Sequence, residues 1–244
     1  MMRRPGRKPL ALSKLPKPAI PARIAAKARR ALLCWYADHG RDFPWRKDEA
    51  TLYQLVLAEL LLQRTRAETV AAFFAQFTTR FPSWESITVS TVDEIGGYLK
   101  PIGLWRRRAV SLRALALEMV TRGGEFPRSR AEVEKLPAVG QYIANAILLF
   151  SSGRAEPLLD VNMARVLERV FGPRKLVDIR DDPHLQSISR AIVRGKHAAR
   201  LNWAILDLAA KVCTTRNPRC GECPLKRVCQ YAAEQRGTHQ ARLS

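Results

Sequence analysis

Along most of the chain, apolar residues recur every three to four positions, the period of a helix with one buried face. Stretches that alternate strictly between apolar and polar are nearly missing. TLYQLVLAELLLQRT predicts a strongly apolar helix from Thr51 to about Gln63, and AETVAAFFAQFTTRF predicts a second directly after it. LWRRRAVSLRALALEMV predicts an amphipathic helix that stops at Gly123 and Gly124, because glycine takes up the left-handed conformation that closes a helix. QYIANAILLFSS, NMARVLERVFG and LNWAILDLAAKVC predict three more, the last running directly into a cysteine. Helix starts are signalled as well: TVDE at Thr91 and SRAE at Ser129 read as capping boxes, each with Glu three residues after the cap. The expected fold class is all-α, about ten helices joined by short turns, with no internal repeat.

Composition narrows this picture. At 244 residues the chain can bury a substantial core, in one large domain or two smaller ones. No apolar run is long enough to span a bilayer, and the basic N-terminus lacks the apolar stretch of a signal peptide, so a cytoplasmic protein is expected. The net charge is +20 and the isoelectric point about 10.6. The first thirty residues hold ten Lys or Arg, five Pro and no acid, so half the excess lies there, and residues 1–21 of that segment are expected to be disordered. Positive charge on both tail and body points to a polyanion partner, nucleic acid foremost.

The cysteines change the picture more. Cys213, Cys220, Cys223 and Cys229 fall within seventeen residues as C-x6-C-x2-C-x5-C, while Cys34, in ALLCWY, reads as a small core residue. In a reducing compartment clustered thiols read as metal ligands before disulfides. Structural zinc sites usually set two ligand pairs apart by about a dozen residues or more. One C-x2-C flanked by lone cysteines suits an iron–sulfur cubane better, with zinc as the alternative. Arg216, Arg219, Lys226 and Arg227 surround the loop, either to meet phosphates or to balance the charge of a cluster.

Two further stretches carry candidate chemistry. LPAVGQYIANAI, Leu136 to Ile147, reads as a helical hairpin with a very short turn closed by Gly140, which would permit a positive φ. The N–H groups that open the next helix could hold a phosphate. Beyond it lies PLLDVNMARVLERV, where Asp160 opens a helix and reads first as an N-cap. Glu59 stands inside LAELLL, where a solitary acid on an apolar helix is costly without a partner or a task.

Taken in order, RDFPWR at Arg41, YQLVLAELLLQRT, IGLWRRRAVSL, the hairpin, Asp160, NWAILDLAAKVC and the cysteine loop resemble the helix-hairpin-helix DNA glycosylases, the family of endonuclease III and the adenine glycosylases. The resemblance runs from Arg41 through Cys229. It implies a 4Fe-4S cluster on the four cysteines. It implies a six-helix barrel over 44–154 and a cluster domain from 22–43 plus 155–231, with 232–244 as a tail and DNA in a cleft between the two domains. The family's hairpin usually reads L-P-G-V-G, and Ala138 stands here for its first glycine. Asp160, Asn162 and Arg165 match the family's D-x-N-x-x-R-V, which makes Asp160 catalytic. Gln63 and Arg64, Val139 and Gly140, and Asn162 are expected at the DNA. Leu104 and Trp105 either fill the gap left by an extruded nucleotide or simply pack in the core.

The branch is read from three differences. Bifunctional lyases of the family carry a lysine where this chain has Tyr142, so water is the expected nucleophile and an intact abasic site the product. Adenine glycosylases share RDFPWR and Glu59, but usually carry Ser at the Tyr142 position and a further C-terminal domain. The thymine/uracil mismatch glycosylases have Tyr there. The resemblance is therefore closest to that branch: a monomer acting on double-stranded DNA with T or U opposite G, working at the nucleoid. Adenine opposite 8-oxoguanine is the alternative, favoured by Glu59, and a non-catalytic DNA-binding module with a cluster is a remote one. In this reading Asp160, Glu59 and Tyr142 form the catalytic set.

Overall fold

The computed structural model describes residues 20–240, and of 236–240 only the backbone. The tail expected over 1–21 therefore lies outside the described residues as far as residue 19. Every regular element among the described residues is helical: twelve α-helices and three short 3-10 turns. None of these helices is long and apolar enough to cross a membrane. The chain divides into two compact units, Arg41–Glu156 and the combination of residues up to Gly40 with those from Pro157 onward.

In the unit Arg41–Glu156, the central element is the apolar helix α2 (Leu52–Leu62), preceded in chain order by α1 (Ala22–His39) of the other unit. Its start is a complete capping box: Thr51 Oγ1 accepts from the Gln54 N–H at 3.2 Å, and the Thr51 N–H donates to Gln54 Oε1 at 2.9 Å. Around it fold α3 (Ala67–Arg80), α4 (Trp84–Thr88), α5 (Val92–Leu99), α6 (Trp105–Thr121), α7 (Arg130–Val133) and α8 (Gln141–Ser152). α2 packs on α3 and α8, and α6 on α4 and α5. Val56, Leu57 and Ala58 are fully buried, and aromatic edges such as Trp45 on Phe74, 5.1 Å between centroids, close the core. Thr91 and Ser129 cap α5 and α7 as the sequence predicts. Their glutamates bond elsewhere: Glu94 pairs with Arg80, and Glu132 takes the Ser129 hydroxyl at 2.6 Å. α6 ends where predicted, with Gly123 and Gly124 at φ 65° and 82°.

The second unit is built on α11 (Ala198–Lys211), which packs against α1 and α9 (Val161–Phe171), with α10 (Pro183–Val193) and α12 (Gln230–Gln240) beside them. Asn202, fully buried, ties the segment before α9 to α11: its Oδ1 accepts from the Leu158 N–H at 2.6 Å, and its Nδ2 donates to the Ala198 carbonyl at 2.9 Å. α12 runs through much of the segment 232–244 assigned above to a tail. Cys34 is not a core residue. The buried stripe of α1 is Ala25, Ala28, Leu32 and Trp35, and Cys34 falls off it and is exposed.

Candidate active site

In the unit Arg41–Glu156, α2 and α8 bring two of the sequence-derived candidates together. Glu59 faces inward from α2 and is 3% exposed. Tyr142, in the first turn of α8, donates its hydroxyl to Glu59 Oε2 at 2.8 Å. A buried carboxylate without such a donor would be strongly destabilising, so the pair accounts for an acid on an otherwise apolar helix.

The hairpin before α8 differs from expectation in its backbone. Gly140 is the N-cap of α8 and is extended, φ −98° and ψ −178°. The left-handed residue is Ala138, φ 61°. The turn reverses two residues earlier than a glycine-based reading suggests, because the N-cap of a helix wants extended backbone. A Cβ added at Gly140 would meet nothing within 4 Å, so its absence leaves bare backbone at the start of α8. Replacing Ala138 with glycine relieves left-handed strain and adds some unfolded-state entropy. A net gain of about 0.5–1 kcal/mol is expected, read as a raised midpoint of thermal unfolding.

Two exposed turns lie in the same unit. Gln63 and Arg64 follow α2, both exposed, with Arg64 left-handed at φ 58°. Gly103 and Leu104 precede α6, both at positive φ, 69° and 49°, and this turns Leu104 outward to 60% exposure. Trp105 instead packs on α5: its ring lies so close over Gly96 that any Cβ there would collide. Lys100 and Arg106 flank the ring at 5.8 and 4.8 Å. Of these two neighbours, Leu104 thus faces outward and Trp105 is packed. Arg108, which sequence reasoning missed, reaches from α6 to the turn after α2.

In the second unit Asp160 caps α9. Its Oδ1 accepts from the N–H groups of Asn162 and Met163 at 2.9 and 2.8 Å, and its Oδ2 accepts from Asn162 Nδ2 at 2.7 Å. Cap and functional candidate are therefore one group, held in one orientation. Asn162 Oδ1 in turn accepts from Arg165 at 3.1 Å, and Arg165 donates onward to the carbonyls of Cys213 and Ala209. One turn further, Arg169 donates to the carbonyls of Thr214 and Thr215 at 2.7 and 3.1 Å and touches Cys213 Sγ at 3.4 Å. Its position four residues after Arg165 was the available signal, since i and i+4 share a helix face.

Cys213, Cys220, Cys223 and Cys229 line one cavity with Val166, Val170, Leu208 and Val212. Burial first, and the other three sulfurs after it, push the Cys223 thiol up to about 11. A thiol placed like that of Cys223 stays protonated unless a cation takes the proton's place. Among the described residues no group of three or more His, Cys, Asp or Glu converges closely enough for a single metal ion. One thiolate on each iron of a 4Fe-4S cluster is a looser requirement, and four thiols round one apolar cavity fit it. Around the loop, Arg216, Arg219, Lys226 and Arg227 are all exposed. Lys226 and Arg219 also hold the loop, on the carbonyls of Gly221 and Lys211 respectively.

The chain matches known proteins over most of its length. Residues 57–181 match the family model described as HhH-GPD superfamily base excision DNA repair protein. A thymine-DNA glycosylase of Aeropyrum pernix is 39% identical over 208 residues, 83% of this chain and 93% of that one. A thymine/uracil-DNA glycosylase of Pyrobaculum aerophilum is 38% identical, over 84% of this chain and 91% of that one. Among solved structures, that of a thermostable thymine-DNA glycosylase superposes with a TM-score of 0.80 at 29% identity, covering 87% of this chain and 98% of the other.

Proposed function

The chain belongs to the HhH-GPD superfamily of base excision DNA repair proteins, and we propose that it is a monofunctional DNA glycosylase. It hydrolyses the N-glycosidic bond of T or U opposite G and leaves an abasic site. The observation that carries the reading is the Tyr142–Glu59 pair. Position 142 offers a phenol where Schiff-base chemistry needs an amine, so the sugar is not captured covalently and water completes the reaction.

The target nucleotide must leave the stack before C1′ can be reached. Leu104, outward and apolar, fills the gap, while Gln63 and Arg64 meet the guanine left behind. Val139 and Gly140 present bare backbone to a phosphate at the start of α8. Tyr142 lies along the extruded base, its ring orientation fixed by the bond to Glu59. As the glycosidic C–N bond breaks, its electron pair leaves with the base and positive charge grows on the sugar. Asp160, held by Asn162 and the α9 N–H groups, stabilises that charge and accepts a proton from the water that attacks C1′. The departing pyrimidine is a tolerable anion, so proton donation matters less than for a purine.

When bound, a 4Fe-4S cluster supplies a rigid tie between the four cysteines. Arg165 and Arg169 bond to the same loop from α9, so the segment that carries Asp160 and the segment that carries the cysteines are held together.

Removal of adenine opposite 8-oxoguanine is the second reading, and Glu59 favours it, because adenine leaves poorly unless a ring nitrogen is protonated. The deciding experiment is strand nicking of labelled G·T, G·U and A·8-oxoguanine duplexes, with and without hot alkali. Cleavage at T and U that needs alkali is expected. Cleavage without alkali would overturn the monofunctional assignment, and cleavage at A alone would overturn the choice of base.

A further inference from the structure

α2 does not run straight into α3. After Leu62 the chain turns through Gln63, Arg64 and Thr65, closed by one backbone bond from the Thr65 N–H to the Leu62 carbonyl at 3.1 Å. Arg64 is left-handed, which for a residue with a side chain carries a steric cost and persists only when the surroundings over-determine it. The last carbonyls of α2 have no partner within the helix.

One side chain answers both needs. Arg108 comes from the first turn of α6, more than forty residues later. Its Nη1 donates to the Leu61 carbonyl at 2.9 Å, and its Nη2 donates to the Gln63 carbonyl at 2.6 Å and to Thr65 Oγ1 at 2.9 Å. Three acceptors on one planar fork set the backbone on both sides of Arg64. The cation also sits at the negative end of the α2 dipole. Burial lowers the guanidinium pKa, and arginine remains charged at neutral pH all the same. The residues so held, Gln63 and Arg64, have exposed side chains.

We propose that Arg108 is a positioning residue for DNA recognition: it clamps Leu61, Gln63 and Thr65 so that Gln63 and Arg64 form a preformed edge for the base opposite the extruded nucleotide. Three of its five N–H groups are bonded to protein oxygens of the turn, and in this proposal it acts through the turn and not through a phosphate. This rests on the glycosylase reading for the place of Gln63, but not on which base is excised. Ordering the turn before binding spares the complex that entropic cost and sharpens the difference between a gapped and an intact duplex.

The test uses the full chain as wild type, Arg108→Lys, Arg108→Met, Gln63→Ala and the Gln63→Ala/Arg108→Lys double variant. Fluorescence anisotropy measures binding to a duplex with a tetrahydrofuran abasic analogue opposite G, and to the same duplex undamaged. Arg108→Lys keeps the charge and most of the packing but cannot span three acceptors. It is expected to lose about tenfold in affinity for the abasic duplex, with binding to the undamaged duplex unchanged. In the Gln63→Ala background the same change should cost less than about threefold, because one of the two groups it positions is already gone. Trypsin should also cut after Arg64 faster in Arg108→Lys than in wild type. If Arg108→Met fails to fold, Arg108→Lys still decides.

Equal losses on both duplexes would mean a direct phosphate contact and overturn the proposal. So would losses from Gln63→Ala and Arg108→Lys that simply multiply, or no loss at all. If wild type releases neither T nor U while this binding pattern holds, the reading of the substrate fails and the role of Arg108 stands.

Discussion

Asp160→Asn is expected to slow single-turnover release of the base by about a thousandfold or more, while DNA affinity changes by less than about threefold. The size follows from what the substitution removes. A neutral amide cannot stabilise positive charge on the sugar, nor take a proton from water. The stability change should be small, because the amide oxygen can still accept from the N–H groups of Asn162 and Met163, and the cap survives. The amide nitrogen would face Asn162 Nδ2, donor against donor, which costs about 1 kcal/mol unless Asn162 turns over. Asp160→Ala separates the two roles: it should slow release as much and also lose the cap, about 1 kcal/mol. Single-turnover nicking with alkali, anisotropy and thermal unfolding report the three quantities separately. Near-normal release by Asp160→Asn would remove Asp160 from the mechanism.

The second large effect is expected at the cysteines. Protein purified without oxygen should carry iron and acid-labile sulfide in equal amounts. Cys223→Ser should lose both, and the unfolding midpoint should fall by about 10 °C or more. The reason is geometric. Cys213 and Cys229 belong to the core of the second unit, with Val212, Leu225 and Ala232 packed in the same cluster. Loosening the loop therefore loosens that core, and takes from Arg165 and Arg169 the carbonyls they bond. One zinc per chain and no sulfide would replace the cluster by a mononuclear site. No bound metal at all would leave the loop to its protein contacts, those of Arg165, Arg169, Arg219 and Lys226 among them.

The match between pattern and structure is uneven, and the unevenness has a physical cause. Where a signal is local, it was readable. The apolar period placed α2, α3, α6, α8, α9 and α11, and the glycine pair closed α6 where it should. Thr91, Ser129 and Asp160 each cap the helix that they precede. α10 was missed, although Asp182 and Pro183 at its start are strong helix-opening residues, because its apolar face is interrupted by buried Gln186, Ser187 and Ser189. Cys34 misled because ALLCWY is apolar without a break, so nothing in the run itself says which residues face in.

The order of residues alone establishes that this protein is helical, where most of its helices begin and end, that four thiols share a short loop, and that an aspartate opens the helix after the hairpin. Those are matters of neighbours in the chain: periods, caps, breaks and spacings act over a few residues and need no knowledge of the fold. It takes the folded molecule to show that Tyr142 bonds to Glu59, that Ala138 and not Gly140 takes the left-handed turn, that Leu104 faces out while Trp105 lies on Gly96, and that Arg108 holds the turn after α2. Each of these joins or orients groups whose surroundings come from distant parts of the chain. Which way a helix faces, and which distant carbonyl a guanidinium can reach, is set when helices pack, and no short window of sequence contains it.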